Sequence, residues 1–294
     1  MTQASSISLV IMAAGIGSRF GGDKQITPIA PDLATFFEYT LYDAMRSGIR
    51  HVVLVIRPEM DDFFREQILK KIPKNLTCDI VHQTFPFSKR KKPWGTGHAI
   101  LCAQDKIRDY FMTANADDFY GREAIQSLAQ YLPTLSPGQK GGACIAYLLK
   151  ETLSSSGPVS RGICHCDERG DLRGIIENEG AYRQNNGIIT NARGAILSPD
   201  APVSMNLLGF TSAFMDKLQQ QWELFYVQHA SSPSAEFGFP TTIRMCSEDP
   251  EWKIKVLLSK SSWIGVTYRD DLSRASDIIH QKIQQETYPQ TLWS

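Results

Sequence analysis

Between residues 15 and 24 the chain sets four glycines (Gly15, Gly17, Gly21, Gly22), Arg19 and Lys24 directly behind an apolar run at 9–14. Glycines let backbone N–H groups approach an anion closely, and the two cations add charged donors, so the segment suits a phosphate group. Two common phosphate loops fit poorly. A dinucleotide fingerprint needs a third glycine where Phe20 stands and an acid after the second strand, where the chain reads Ile56-Arg57. A P-loop needs its lysine directly after the glycine and Ser or Thr behind it, but Asp23 and Gln25 hold those places.

Further clusters carry matching chemistry. Lys92-Pro93-Trp94-Gly95-Thr96-Gly97 precedes a helical pattern, and Gly-Thr-Gly at a helix start offers free N–H groups and close backbone access. Trp94 either stacks on a base or anchors packing. Asn115-Ala116-Asp117-Asp118 follows an apolar strand, and hard carboxylate oxygens at a strand end suit a Mg²⁺-bound triphosphate. Late in the chain, the strand-like run at 266–268 leads into Asp270 and Asp271, which serve either as metal ligands or as the N-cap of a final helix.

The elements that must position these groups alternate in the first half. Strand patterns at 7–13, 51–56, 79–83, 110–114 and 143–149 are separated by helical patterns at 35–46, 61–72, 97–108 and 122–132, which predicts an α/β fold with a mostly parallel sheet. The second half is richer in strands (163–166, 172–177, 203–210, 254–258, 263–267), with helices at 212–228 and 272–285 and a Ser-rich seam at 153–160.

Together the motifs resemble the nucleotidyltransferase family that makes nucleoside-diphosphate sugars, whose first strand runs into Ala-Ala-Gly-x-Gly-x-Arg with a lysine a few residues on; here the run is Ala13-Ala14-Gly15-Ile16-Gly17-Ser18-Arg19. The arginine-to-lysine spacing is shorter than in the best-known thymidylyl- and uridylyltransferases, which suggests a side branch. The resemblance implies a Rossmann-like, GT-A-like mixed sheet flanked by helices. It further implies one catalytic domain over 1–294: a nucleotide half at 1–150, an acceptor half at 151–270, and a C-terminal helix and tail at 271–294. It gives Ala13, Ala14, Gly15, Gly17 and Ser18 to the triphosphate, with Arg19 and Lys24 stabilising the reacting phosphates. Lys92, Trp94, Gly95, Thr96, Gly97 and Asn115 fall to the nucleotide, and Glu177, Asn206 and Gly209 to the acceptor. Asp117 would hold Mg²⁺, helped by Asp271 or, second, Asp270.

The implied reaction joins an NTP to a phosphorylated acceptor, a sugar 1-phosphate first, giving an NDP-sugar and pyrophosphate. Alternatives are a cytidylyl- or other nucleotidyltransferase for a phosphate or phosphonate headgroup, and a non-catalytic nucleotide-binding regulator. Composition narrows the partners. Lys and Arg total 31 and Asp and Glu total 31, so a zero balance argues against binding nucleic acid or an anionic membrane. The run Lys89-Arg90-Lys91-Lys92 reads as a solvated loop that attracts the triphosphate. Six scattered cysteines and no signal-like start predict reduced thiols and a cytoplasmic enzyme. No long hexapeptide-repeat tail is present, so no second acyltransferase activity is expected. A homo-oligomer stays open.

Overall fold

The computed structural model describes residues 6–15, 27–31, 34–84, 90, 92–266, 268 and 270–293. The first apolar run forms β1 (Ile7–Met12). Helix α1 (Phe36–Arg46) starts at Thr35 with a capping box, in which Glu38 takes the Thr35 backbone N–H at 2.9 Å and its hydroxyl at 3.1 Å. Strand β2 (His51–Ile56) is followed by α2 (Asp61–Phe63), which widens into a π-turn over Phe64–Leu69 rather than continuing as the single helix expected to residue 72. Then come β3 (Thr77–His82), α3 (Thr96–Leu101), β4 (Tyr110–Asn115), the short β5 (Asp118–Phe119) and α4 (Arg122–Tyr131).

The second half contains β6 (Gly141–Leu148), α5 (Leu149–Thr152), β7 (Val159–Cys166), β8 (Leu172–Arg183), β9 (Ile189–Thr190), β10 (Ile196–Leu197) and β11 (Pro202–Thr211). It closes with α6 (Ala213–His229), α7 (Phe239–Glu248), β12 (Lys253–Leu258), β13 (Ile264–Gly265) and α8 (Asp271–Gln284).

Strands β3, β2, β1 and β4 lie side by side and parallel. Strand β11 joins β4 antiparallel and pairs β6 on its other edge, and β12 extends the sheet parallel to β6. The early part of β11 also pairs β7, from which antiparallel β8, β9 and β10 continue. This is the expected α/β architecture with a mixed, mostly parallel central sheet. The seam at 153–160 does not divide the sheet, since β6 before it and β7 after it both pair with β11.

Alternation along β1 explains the layering. Leu9 and Ile11 face a core with Phe37 and Leu41 of α1 and Leu128 of α4, whereas Val10 faces Ile100 of α3, Phe214 of α6 and Phe239 of α7. Each such fully buried side chain contributes about 1.5–3 kcal/mol. Among the described residues no helix is long and apolar enough to cross a membrane.

Between β1 and β4 the strand order switches direction, because β1 leads to β2 on one side while β4 lies on the other. Open α/β sheets leave a crevice at the carboxyl ends of strands at such a point. Met12 and Asn115 are register partners there.

Candidate active site

Two cavities open at this crevice. The first, about 330 Å³, is bounded by Met12, Ala14, Gly15, Gln83, Lys92, Gly95, Thr96 and Glu236. Ala13 lies beneath it, fully buried, its N–H donating to the Val55 carbonyl at 2.8 Å. Gly17, Ser18, Arg19 and Lys24 lie outside the described residues.

The Gly-Thr-Gly turn is shaped by a crossing segment. Gly95 has φ +99°, and a Cβ there would stand 2.7 Å from the Phe237 carbonyl oxygen. Gly97 gives its N–H to that same oxygen at 2.9 Å, and a Cβ on it would meet the Phe237 ring at 2.7 Å. Gly97 therefore faces the protein, not the cavity: its freedom serves a close chain crossing. The Thr96 hydroxyl accepts the Phe239 N–H at 3.0 Å, which caps the start of α7.

Trp94 needs a correction of the same kind. It is 3% exposed and packs edge-on against Trp222, Phe225 and Tyr226, while the Arg90 guanidinium sits 3.6 Å over its ring. Trp94 is a packing anchor, with no face left for a base. Arg90 itself is buried and donates to the carbonyls of Ser232 and Ala235, each at 2.6 Å. The basic run is thus not uniformly solvated: Arg90 clamps the chain, Lys92 reaches the cavity, and Lys89 and Lys91 lie outside the described residues.

Gln83 was not foreseen. It is 2% exposed, and its Nε2 donates to the Gly95 carbonyl at 3.0 Å and to His98 Nδ1 at 3.3 Å. Burial pushes His98 down to about 4, so near neutrality the ring is uncharged and can accept that hydrogen. Both amide hydrogens are engaged, and Gln83 is among the residues that bound the first cavity. The signal in the sequence was a polar residue directly after an apolar strand.

The second cavity, about 270 Å³, contains Asn115, Asp117, Asp118, Ser160, Arg161, Glu177, Ser204 and Asn206. Asn115 thus lies with Asp117 rather than in the first cavity. Its Nδ2 donates to Asp118 Oδ2 at 2.7 Å, which ties the two side chains together across the turn. Tyr120 braces the turn: its hydroxyl accepts the Asn115 N–H at 2.9 Å and donates to the Met205 carbonyl at 2.9 Å. Glu177 is the register partner of Gly162, and desolvation pushes its carboxyl above the ordinary range, with Arg161 pulling the other way.

Asn206 carries a left-handed backbone, φ +64°, where the β11 pairing with β6 shifts between Ser204 and Leu208. Its carbonyl accepts the Thr113 hydroxyl at 3.0 Å. Such strain in a non-glycine residue persists only when its surroundings impose it, and it gathers at ligand sites.

Two expected residues fall elsewhere. Gly209 faces the end of α4, where a Cβ would stand 2.7 Å from Leu132 Cδ1 and 3.1 Å from Leu128 Cδ1; it provides close sheet–helix packing and is not among the residues of the second cavity. Asp271 borders a smaller cavity with Ser154, Arg161 and Arg274, not the one with Asp117. Its Oδ1 accepts the hydroxyls of Ser154 (2.8 Å) and Ser156 (3.1 Å), and its Oδ2 the Tyr268 N–H at 2.8 Å. A carboxylate held by three donors in the first turn of α8 pins that helix to the 153–158 loop. Asp270 is exposed at the N-cap position, with no capping hydrogen bond from its side chain.

Residues 9–155 match the model of the MobA-like NTP transferase domain. Over its full length the chain is 22% identical to the bifunctional protein GlmU of Corynebacterium diphtheriae, of which it covers 56%. Over 153 residues it is 28% identical to a UTP–glucose-1-phosphate uridylyltransferase of Bacillus subtilis, spanning 43% of this chain and 50% of that one. The chain therefore spans about half the length of the curated relatives it matches. A Bacillus anthracis protein assigned as a glucose-1-phosphate thymidylyltransferase, solved with a sucrose, shares the fold: TM-score 0.63 at 12% identity, covering 93% of this chain and 95% of that one.

Proposed function

The chain belongs to the MobA-like NTP transferase family, and from that premise we propose that it transfers a nucleotidyl group from an NTP to a sugar 1-phosphate, releasing pyrophosphate. One observation carries the reading. The two cavities lie on neighbouring strands, with Met12 in the wall of one and its register partner Asn115 in the wall of the other. Neighbouring strands lie about 4.8 Å apart, so molecules filling both cavities bring their reactive ends together at this boundary. The reaction named for the Bacillus subtilis relative, between UTP and glucose 1-phosphate, supports the pairing.

The base enters the first cavity against Gln83, and the phosphates run past Ala14 and Gly15 towards Asp117. An oxygen of the acceptor phosphate attacks the α-phosphorus; the bond to the bridging oxygen breaks, and pyrophosphate leaves with that electron pair. The attacking phosphate is already ionised near neutral pH, so no general base is needed. The protein's task is in-line positioning and charge neutralisation. Arg19 and Lys24 take the charge on the reacting and leaving phosphates.

The donor chemistry fits a divalent cation of the Mg²⁺ kind. Asp117 supplies a hard oxygen beside the polar Asn115, and such ions are commonly held by one or two carboxylates together with substrate phosphates and water. When bound, the ion would screen the triphosphate charge. Asp271 is engaged elsewhere and is omitted from this role.

The test is pyrophosphate release from a panel of NTPs and acceptors. At least one NTP with a sugar 1-phosphate is expected to turn over. Turnover confined to phosphonate or amino-alcohol phosphate acceptors would overturn the sugar assignment, and no turnover with any pair would overturn the activity.

A further inference from the structure

Among the described residues Arg161 is a buried cation without an ion pair. It is 7% exposed, and its hydrogen bonds all go to carbonyls: Nε and Nη2 to Thr152, the first at 3.0 Å, and Nη1 to Ser160 at 2.7 Å. A guanidinium carries five N–H donors, so two remain unused among the described residues. Its Cζ lies 5.0 Å from the Trp263 ring centre. Asp118, Glu177 and Asp271 act on it only through space, and desolvation pulls its pKa below the ordinary arginine value.

Burying a charge without a direct partner is among the least favourable arrangements in a fold. Holding the 152–160 loop does not explain it, because a neutral glutamine can also donate to a carbonyl. The cavity supplies a reason. Its described lining includes three carboxylates, Asp117, Asp118 and Glu177, and Arg161 is the one cation among the described residues there. An anionic acceptor entering beside those carboxylates meets repulsion from every charged group except Arg161.

We infer that Arg161 binds the phosphate of the acceptor, its two remaining N–H groups donating to phosphate oxygens that do not attack. This rests on the proposed function for the identity of the anion. Glu177 and Asn206, in the same cavity, are left to face the non-phosphate part of the acceptor.

The experiment measures equilibrium binding of glucose 1-phosphate, inorganic phosphate, methyl α-glucoside and an NTP to the full chain and to R161Q and R161K, with thermal melting as the check on folding. R161Q is expected to melt near the wild type and to keep its NTP affinity, while binding glucose 1-phosphate about 10- to 100-fold more weakly, the loss of charge-assisted hydrogen bonds. Methyl α-glucoside affinity should stay unchanged, and R161K should recover part of the lost glucose 1-phosphate affinity. Equal losses for the phosphorylated and the neutral sugar, or a matching loss for the NTP, would show a structural role and overturn the inference. So would wild-type protein that binds neither glucose 1-phosphate nor inorganic phosphate at millimolar concentration. Phosphate-selective loss in R161Q, in a protein that releases no pyrophosphate with any NTP, would defeat the proposed activity and leave this inference standing.

Discussion

Replacing Gln83 by leucine separates base recognition from the rest of the site. Leucine keeps the approximate volume but removes the amide, which donates to Gly95 O at 3.0 Å and to His98 Nδ1 at 3.3 Å. Gly95 O keeps a second donor, the Ala99 N–H at 3.1 Å, so the folding penalty falls at the low end of that for a lost buried hydrogen bond, about 1 kcal/mol. The nucleotide loses one hydrogen bond from a base N–H to Oε1. At about 0.5–1.5 kcal/mol net, that raises the NTP KM about 2- to 10-fold. Since Gln83 touches neither phosphate nor acceptor in this account, kcat at saturation should hold within about twofold, and the acceptor KM should not move. Steady-state pyrophosphate release with each NTP varied in turn gives all three constants, and urea unfolding gives the stability change. Loss of kcat at an unchanged NTP KM would refute the reasoning, because it would place Gln83 against the reacting atoms.

Asp117→Ala should cut turnover by about two orders of magnitude or more while leaving the urea midpoint near the wild type; comparable activity in the purified variant would remove Asp117 from the mechanism. Asp271→Asn should keep the wild-type metal-ion dependence of the rate, because its carboxylate is engaged by Ser154, Ser156 and the Tyr268 N–H, whereas Asp117→Asn should raise the metal concentration needed. Trp94→Ala should destabilise the fold by about 3–5 kcal/mol in urea unfolding, as expected for removing a buried aromatic anchor. Asp43 predicts a pH dependence. Burial pushes its carboxyl from 3.8 to about 6, against the opposing Tyr288 hydroxyl at 2.6 Å and Arg122 at 3.1 Å. The folded state thus holds that proton more tightly. The Asp43 contribution is complete below about pH 4 and is lost as pH rises through 6, a fall of about 3 kcal/mol in all, of which about 1.4 kcal/mol lies between pH 5 and 8; Asp43→Asn should abolish that difference in unfolding curves at the two pH values.

The parts of this molecule written in local sequence were legible. Strand β2 is an unbroken β-branched and leucine run whose observed ends match the expected ones, and the acids behind β4 announce a strand-end site wherever the sheet leads. Thr35 and Glu38 spell out the start of α1 three residues apart. What stayed hidden depends on chain crossings. Nothing near Trp94 reveals that Trp222 and Phe225, more than a hundred residues later, will cover it, or that Phe237 will press on Gly95 and Gly97. Gly209 reads as a pocket glycine until α4 is seen against it. The left-handed turn at Asn206 arises from the pairing shift of β11 between two partners, which no window of sequence contains. Asp271 looked like a late metal ligand because acids after a strand suit one. Two serines from the 153–158 loop use its Oδ1, and the Tyr268 N–H uses its Oδ2. Helix α7 did carry a signal, Pro240 in its first turn with Phe239, Ile243 and Cys246 at helical spacing, and it passed unread.

The claim that the two cavities serve as the halves of one reaction is tested most directly by a crystal structure with a non-hydrolysable NTP analogue and a divalent cation. The account predicts the base against Gln83 Oε1 in the first cavity, with the α-phosphorus at the boundary between Met12 and Asn115 and the cation on Asp117. A nucleotide seated instead in the second cavity, with its base among Glu177, Asn206 and Trp263, would contradict it.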